Sequence, residues 1–278
     1  MRKASTATPN TWPAVAWATL LRDMWIAISY PLGFVLTTGG SIFNIVGIFF
    51  LGRAFGSSLV ASVERYGGSY FAFAVIGVAL TTFMGVGLTG TAVRIREGQM
   101  LGTLELMLLS PNRLGVILVS SSLWSHVLAT ITLLLSMIVG VALGMDLGKA
   151  NVPMALLSLV LATVAFNALG FIAASVVIVI KQGSPVTVIL AMASALAGGV
   201  LYPTAVLPGW LQAVGQLLPL THALELIRRS VLMGEGIDTL WGPFLSLTFL
   251  TAGMLPLGLW ACHEAVRLAQ TDGSLSQY

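Results

Sequence analysis

Charged residues are scarce in this sequence, and their scarcity indicates the solvent in which the chain folds. Aspartate, glutamate, lysine and arginine make up 8% of its 278 residues, whereas hydrophobic residues make up 57%. The mean hydropathy is +0.95. A soluble domain carries about 25% charged residues, so the composition predicts a membrane protein. The net charge of +3 is too small to indicate a nucleic-acid partner.

The side chains needed for catalysis or ion coupling are also missing. A single cysteine, Cys262, excludes an internal disulfide framework. His263-Glu264 lacks the second histidine of a zinc motif because Arg267 stands there, and no glycine-rich phosphate loop is present. His126 is expected to bond to a neighbouring helix rather than to a ligand. We predict no catalytic residue, no metal site and no ATP bound by this chain; an intramembrane hydrolase is disfavoured because no nucleophile–base pair stands at helical spacing.

Six apolar runs are long enough to cross a bilayer, which takes roughly 20 residues as a helix. They cover residues 26–51, 69–92, 114–144, 152–180, 185–207 and 243–264. Their cores contain no Asp, Glu, Lys or Arg, which argues against an ion-driven carrier. The predicted fold class is an all-α polytopic membrane protein with six transmembrane helices, forming one transmembrane domain over residues 1–278.

Residues 12–25, ahead of the first span, predict an amphipathic helix lying at the membrane surface. Tryptophans occupy one face, and Arg22 and Asp23 are expected to stay in water. The alternative is that this stretch is simply the start of the first span. With the N-terminus inside, the inner side collects eight of the 13 lysines and arginines. This bias predicts that both termini are cytoplasmic, and the polar N-terminal stretch does not resemble a cleavable signal.

The loop after the second span, residues 97–111, predicts a short helix with an apolar face. Leu104 and Leu108 share that face, and Arg96 and Arg113 flank it outside the membrane. A threonine cap and an acid in the first turn favour its start, and a proline prevents its continuation. The residues concerned are Gly102, Thr103, Glu105, Ser110 and Pro111. An apolar face held outside lipid needs a partner surface.

Residues 208–234, between the fifth and sixth spans, predict two short amphipathic helices joined at Pro219. Glu225 stands four residues before Arg229, in the favourable orientation for an ion pair. A seventh span is excluded by the proline and by the charges. We expect a re-entrant helical hairpin dipping into the outer leaflet.

Small and polar residues recur on one face of the first span and again on the fifth. The first set is Thr37, Gly40, Ser41 and Asn44, and the second is Ala195, Gly198 and Tyr202. Such faces allow helices to approach closely, and an asparagine in lipid must find a partner. Two interpretations stay open: a pathway or dimer face at a two-fold axis, and ordinary packing inside one subunit.

Two segments carry a family resemblance. Residues 97–111, from Glu97 through Gly102-Thr103-Leu104-Glu105 to Ser110-Pro111, resemble the cytoplasmic coupling segment of type-two ABC exporter permeases. The outer segment resembles the second landmark of that family. Its matching residues are Tyr202-Pro203, Leu207-Pro208, Pro219 to Thr221 and Arg228 to Gly234.

The resemblance implies a half-transporter of the bacterial inner membrane. A second copy of the chain or a close paralogue would pair with it, and two separate ABC-type ATPase subunits would bind ATP and Mg²⁺. The coupling helix would enter the ATPase groove, with Arg96 and Glu97 at its edge. The residues expected at an outer gate are Pro208, Trp210, Pro219 and Arg228. The alternative function is a non-transporting membrane scaffold or assembly factor, and the sequence leaves the cargo open among glycan, lipid and drug.

Overall fold

The structure is a computed structural model that describes residues 12–100, 114–180 and 184–271. Within those residues the chain is helical and contains no β-strand, so the predicted all-α fold is confirmed. The α-helices of the described residues are α1 (Trp12–Ser29), α2 (Pro31–Val63), α3 (Tyr70–Met100), α4 (Leu114–Ala142), α5 (Val152–Ile180), α6 (Ser184–Ala197), α7 (Gly209–Gln216), α8 (Pro219–Arg228) and α9 (Ile237–Thr271).

Five of these helices contain a stretch that is long and apolar enough to cross a membrane. Within the described ranges these stretches are Pro31–Ala54, Tyr70–Arg94, Ser122–Ala142, Val152–Ile180 and Ile237–Leu268. The predicted fifth span, residues 185–207, differs because its helix ends at Ala197. Gly199 has a φ of 72°, a left-handed conformation that ends the helix. The 14 residues of α6 reach only about 21 Å, so the six-span topology stays a prediction.

The first two helices separate at Pro31, five residues later than the predicted start of the first span. Pro31 is the first residue of α2, where its missing N–H costs nothing, whereas its ring would clash inside a continuous helix. The surface of α1 carries three tryptophans that are each more than half exposed: Trp12, Trp17 and Trp25. The placement of α1 at the membrane surface stays a prediction.

Helices α3 and α5 form the centre of the molecule. The most apolar windows of their spans are 67% and 61% buried, against 17–22% for the spans of α2, α4 and α9. Phe83 and Met84 of α3, Phe166 of α5 and Leu224 of α8 are among the side chains buried in the largest apolar cluster. Helix α9 packs along α5, α4 packs along α3, and α1 lies against α4. Consequently α2 sits at the edge of the bundle, where it contacts mainly α3 and α4.

A pair of glycines allows α3 and α5 to approach closely. A Cβ on Gly170 would overlap the carbonyl oxygen of Gly87. A Cβ on Gly87 would lie 2.8 Å from the Cβ of Phe166. Small residues at helix crossings are the usual way in which membrane helices gain contact area. The crossing of the two central helices therefore depends on these two positions.

Replacing Gly170 with alanine should destabilise the folded chain because a main-chain carbonyl cannot move aside for the added methyl group. Overpacking of this kind costs about 1–3 kcal/mol. The control is Gly85→Ala on α3, where the added Cβ would have no atom within 4 Å. Thermal unfolding of the purified full chain in detergent should show a lower midpoint for Gly170→Ala and an unchanged midpoint for Gly85→Ala. Equal midpoints would mean that the two helices do not cross at this point.

Candidate functional site

The end of α3 that leads into residues 97–111 is anchored to α1 by a buried carboxylate. Asp23 is 4% exposed, although the sequence suggested that it would stay in water. One of its oxygens pairs with Arg22 at 2.8 Å, and the other pairs with Arg94 of α3 at 3.2 Å. Arg94 lies 71 residues away in sequence, so local helix periodicity could not reveal this contact. The pair of Asp23 with Arg94 fixes α1 to α3 three residues before Glu97.

The predicted coupling residues lie almost entirely outside the described residues. Arg96 and Glu97 belong to α3 in their backbone, and their side chains are not described. The others fall in the range 101–113, outside the described residues: Gly102, Thr103, Leu104, Glu105, Leu108, Ser110 and Pro111. Their role as an ATPase-docking helix stays a prediction.

The small and polar face of α2 points away from the chain's own core. Thr37, Gly40 and Asn44 are exposed, and Ser41 is partly exposed. A Cβ on Gly40 would meet no atom within 4 Å. The hydroxyl groups of Thr37 and Ser41 donate to carbonyl oxygens of their own helix. Packing within one subunit therefore leaves this face largely free.

The second predicted face is divided by the structure. Gly198 is buried, and a Cβ there would lie 3.2 Å from the Leu220 side chain, so this position packs within the subunit. Ala195 is half-buried against the main apolar cluster. The Tyr202 hydroxyl donates to the Leu196 carbonyl oxygen at 2.7 Å and so stabilises the turn after α6.

Arg228, at the end of α8, is buried and holds three parts of the chain together. It is 3% exposed, and its guanidinium lies 3.4 Å from the centroid of the Phe73 ring. It donates to the Phe73 carbonyl oxygen at 3.1 and 3.2 Å. It also donates to the carbonyl oxygens of Gly199 at 2.9 Å and Val200 at 2.6 Å. Arg228 therefore fastens α8 and the turn after α6 to α3.

Arg228 is charged although its burial disfavours the charged form. Burial lowers the pKa of Arg228 to about 9, against the raising effect of nearby groups such as Glu225. The side chain is therefore protonated at neutral pH. The carbonyl dipoles and the face of Phe73 supply the negative potential that water would otherwise provide.

A charged cluster on the neighbouring surface joins α8 to the turn between α2 and α3. Glu225 accepts hydrogen bonds from Arg65 at 2.6 Å and from the Tyr66 hydroxyl at 2.5 Å. Arg229 lies 3.4 Å from Glu225 and 2.5 Å from Glu235. The sequence identified the pairing of Glu225 with Arg229, but not the partners about 160 residues away.

The cluster shifts the protonation of its own members. Burial, and then Glu225, raise the pKa of the Tyr66 hydroxyl, which therefore remains a hydrogen-bond donor. Burial alone would raise the pKa of Glu235, but hydrogen bonds from Arg229 and Thr239 hold it below its usual value. The carboxylate consequently stays ionised beside Arg229.

The other residues predicted at the outer gate occupy the ends of the two short helices. Pro208 precedes α7 in an extended conformation, and Trp210 in the first turn is 70% exposed. Pro219 is the buried first residue of α8. The two short helices are present as the proline positions suggested, and their placement in the outer leaflet stays a prediction.

His126 on α4 forms an interhelical tie. Its Nδ1 lies 2.9 Å from the Ser122 carbonyl oxygen, and its Nε2 lies 3.1 Å from the side-chain nitrogen of Asn167 on α5. Because the carbonyl oxygen only accepts, Nδ1 carries the proton, and Nε2 accepts from the amide. Both ring nitrogens are satisfied by protein, as expected for a structural histidine.

Comparison with known proteins places these elements in one family. The family model for the ABC-2 type transporter matches residues 17–232, which run from α1 to the turn after α8. No curated protein matches the chain. The match covers most of the sequence, and the helices it spans include four of the five long apolar stretches. The chain belongs to the ABC-2 type transporter family, and it is a transmembrane permease component of an ABC transporter.

Proposed function

We propose that the chain is the membrane subunit of an ATP-driven exporter. Two copies form the export path, and separate ATPase subunits dock on residues 97–111. The paired arrangement is supported by the polar face of α2, which is exposed. The α2 helix is also little buried within its own subunit. Family membership supports the need for an ATPase partner.

Asn44 gives an energetic reason for a second copy of the chain. Its side-chain amide is exposed near the middle of the Pro31–Ala54 stretch, where lipid offers no hydrogen-bond partner. An unpaired amide in an apolar medium costs several kcal/mol. A two-fold related copy of α2 would bring a second Asn44 and a second set of small residues to the same face. The helices could then approach closely and pair their polar groups.

Cross-linking should reveal this face directly. Cysteines at Thr37, Ser41 or Asn44 should form disulfide-linked dimers in the membrane. A cysteine at Val35 is the control, because Val35 is 60% exposed and lies roughly opposite Thr37 on the helix. We expect strong dimer bands from the three face positions and a weak band from the control. Equal bands at all four positions would assign the face to lipid rather than to a second copy.

The coupling proposal is supported by the anchor at the end of α3. Residues 97–111 begin in the last turn of α3, one of the two central helices. Asp23 ties that same end of α3 to α1 through Arg94. A movement imposed on residues 97–111 by an ATPase would therefore act on α3 and α1 together. Packed helices transmit such movements as rigid bodies.

The proposed orientation places both termini in the cytoplasm of a bacterium. Cys262 is buried, and its replacement gives a background without other cysteines. A cysteine at Gly148, in the α4–α5 loop, should react with a membrane-impermeant maleimide from outside the cell. A cysteine at Gln182 should react only after the membrane is opened. The reverse pattern would invert the orientation.

A further inference from the structure

We infer that a crevice between α2, α3 and α4 binds the hydroxyl group of a neutral amphiphile, an inference that rests on the proposed transport function. The crevice is small, with room for about one group of the size of a water molecule, such as a hydroxyl. Four hydroxyl side chains from three helices line it: Ser41, Thr82, Thr132 and Ser136. Aliphatic residues, among them Ile45 and Leu133, form the rest of its wall. The site lies within one subunit and is separate from the α2 face assigned to the dimer, except that Ser41 borders both.

The depth of the crevice makes its polarity unusual. Thr82 is the middle residue of the Tyr70–Arg94 stretch, and Thr132 is the middle residue of the Ser122–Ala142 stretch. Ser41 lies within two residues of the middle of the Pro31–Ala54 stretch. All three helices therefore place hydroxyl groups at mid-depth in the bilayer, where an unsatisfied polar group is most costly.

Three of the four hydroxyl groups in the crevice already donate a hydrogen bond to a carbonyl oxygen of their own helix. Ser41 donates to the Thr37 carbonyl oxygen at 3.2 Å, and Thr82 donates to the Val78 carbonyl oxygen at 3.1 Å. Ser136 donates to the Thr132 carbonyl oxygen at 2.8 Å. The hydroxyl oxygens of Thr132 and Thr38 lie 3.4 Å apart and form a hydrogen bond in which either group can be the donor. A hydroxyl group that donates a hydrogen bond to the main chain still has lone pairs that can accept one. The crevice therefore offers mainly hydrogen-bond acceptors.

The residues that line the crevice favour a neutral hydrogen-bond donor over an ion. None of its nine residues is charged, so a cation would find no counter-charge in the crevice. An anion would find few free donors. A neutral O–H group can donate to one of the lone pairs, and its hydrocarbon body can extend into the surrounding lipid. Thr82 is exposed and Ser41 is partly exposed, so the crevice can be reached from outside the chain.

The experiment compares two photoactivatable probes, a long-chain alcohol carrying a diazirine and its methyl ether. The ether has nearly the same body but no proton to donate. In lipid nanodiscs that contain the full chain, without nucleotide or ATPase, the alcohol should label the middle of α2–α4 about three- to tenfold more strongly than the ether. Mass spectrometry of the labelled peptides locates the site. Equal labelling would mean that the crevice holds water alone, and would overturn the inference.

Substitutions on α3 separate a specific site from a general affinity for the protein surface. Thr82→Val keeps the shape of the side chain and removes an acceptor, and combining it with Ser41→Ala removes two. Thr89→Val is the control, since Thr89 also bonds its own helix, at 2.8 Å from the Gly85 carbonyl oxygen, but does not line the crevice. The ratio of labelling by the alcohol to labelling by the ether should fall in Thr82→Val and approach one in the double variant. In Thr89→Val the ratio should equal that of the wild type. An unchanged preference in the double variant would also overturn the inference.

The outcome is independent of ATPase docking. If the wild-type chain prefers the alcohol but retains no ATPase, the proposed transport function fails and the binding site stands. If the chain retains an ATPase but labels equally with both probes, the proposed function stands and the binding site fails.

Discussion

Replacing Arg228 with methionine should release α8 and the turn after α6 from α3, and lower the free energy of unfolding by about 3–5 kcal/mol. The guanidinium donates to the carbonyl oxygens of Phe73, Gly199 and Val200, and all of these acceptors would lose a donor at once. Leaving a buried acceptor unpaired costs about 1–3 kcal/mol. Removing a buried charge recovers part of this free energy. The methionine side chain, however, cannot donate a hydrogen bond to the carbonyl oxygens.

The close packing around Arg228 leaves no space for another group to replace its hydrogen bonds. A Cβ on Gly77 of α3 would overlap the Val200 carbonyl oxygen, so the turn after α6 already lies directly against α3. Lysine at position 228 would keep the charge, but it cannot span three carbonyl groups or stack on Phe73 as a planar group does. We therefore expect Arg228→Lys to be intermediate between the wild type and Arg228→Met.

The matched control is Arg229→Met, one residue further along the chain. Arg229 is 24% exposed and pairs with Glu225 and Glu235 near the surface, so its loss should cost about 1 kcal/mol or less. Thermal unfolding should rank wild type, Arg229→Met, Arg228→Lys and Arg228→Met in order of falling midpoint. Hydrogen exchange should accelerate around residues 199–230 in Arg228→Met. Equal midpoints for the two methionine variants would contradict the anchoring role.

The substitution Leu104→Asp should abolish ATPase retention while leaving the membrane helices intact. The sequence predicts that Leu104 and Leu108 share an apolar face between Arg96 and Arg113. Burying one leucine in a partner groove contributes roughly 1.5–3 kcal/mol. An aspartate would remove that contribution and place an unpaired charge in the groove, at a further cost of several kcal/mol. Affinity should fall by orders of magnitude, and export should stop.

Asn112→Asp provides the control for this prediction because it adds the same charge outside residues 97–111. Both variants should insert and express like the wild type, as judged by membrane fractions and gel filtration. Only Leu104→Asp should lose the ATPase in a pull-down from mild detergent. If Leu104→Asp retains the ATPase and exports at the normal rate, residues 97–111 do not form the docking element.

The sequence was sufficient to predict the helical architecture because helices are the available solution for apolar runs of this length in lipid. It was less informative about where the helices end. The end of α6 could not be predicted because the apolar run continues from 185 to 207. The helix ends where Gly199 adopts a left-handed conformation. The break at Pro31 was missed because an apolar pattern continues across it, although proline favours a new helix start.

Contacts between distant parts of the chain were beyond the reach of sequence patterns. Asp23 looked like a solvent-facing residue until α3 brought Arg94 to it. Arg228 carried no sign of its partners, one of which, Phe73, lies 155 residues earlier. The polar face of α2 was visible as a periodic pattern, but only the packing of α3 and α4 against the other side of α2 shows that it is exposed.

Native mass spectrometry of the complex purified from membranes in mild detergent gives its subunit composition. We predict an assembly with two copies of this permease, or one copy and a close paralogue, and two ATPase subunits. ATP hydrolysis should elute with that assembly. A chain that elutes alone, or with proteins that do not hydrolyse ATP, would contradict the account and would favour a membrane scaffold without transport.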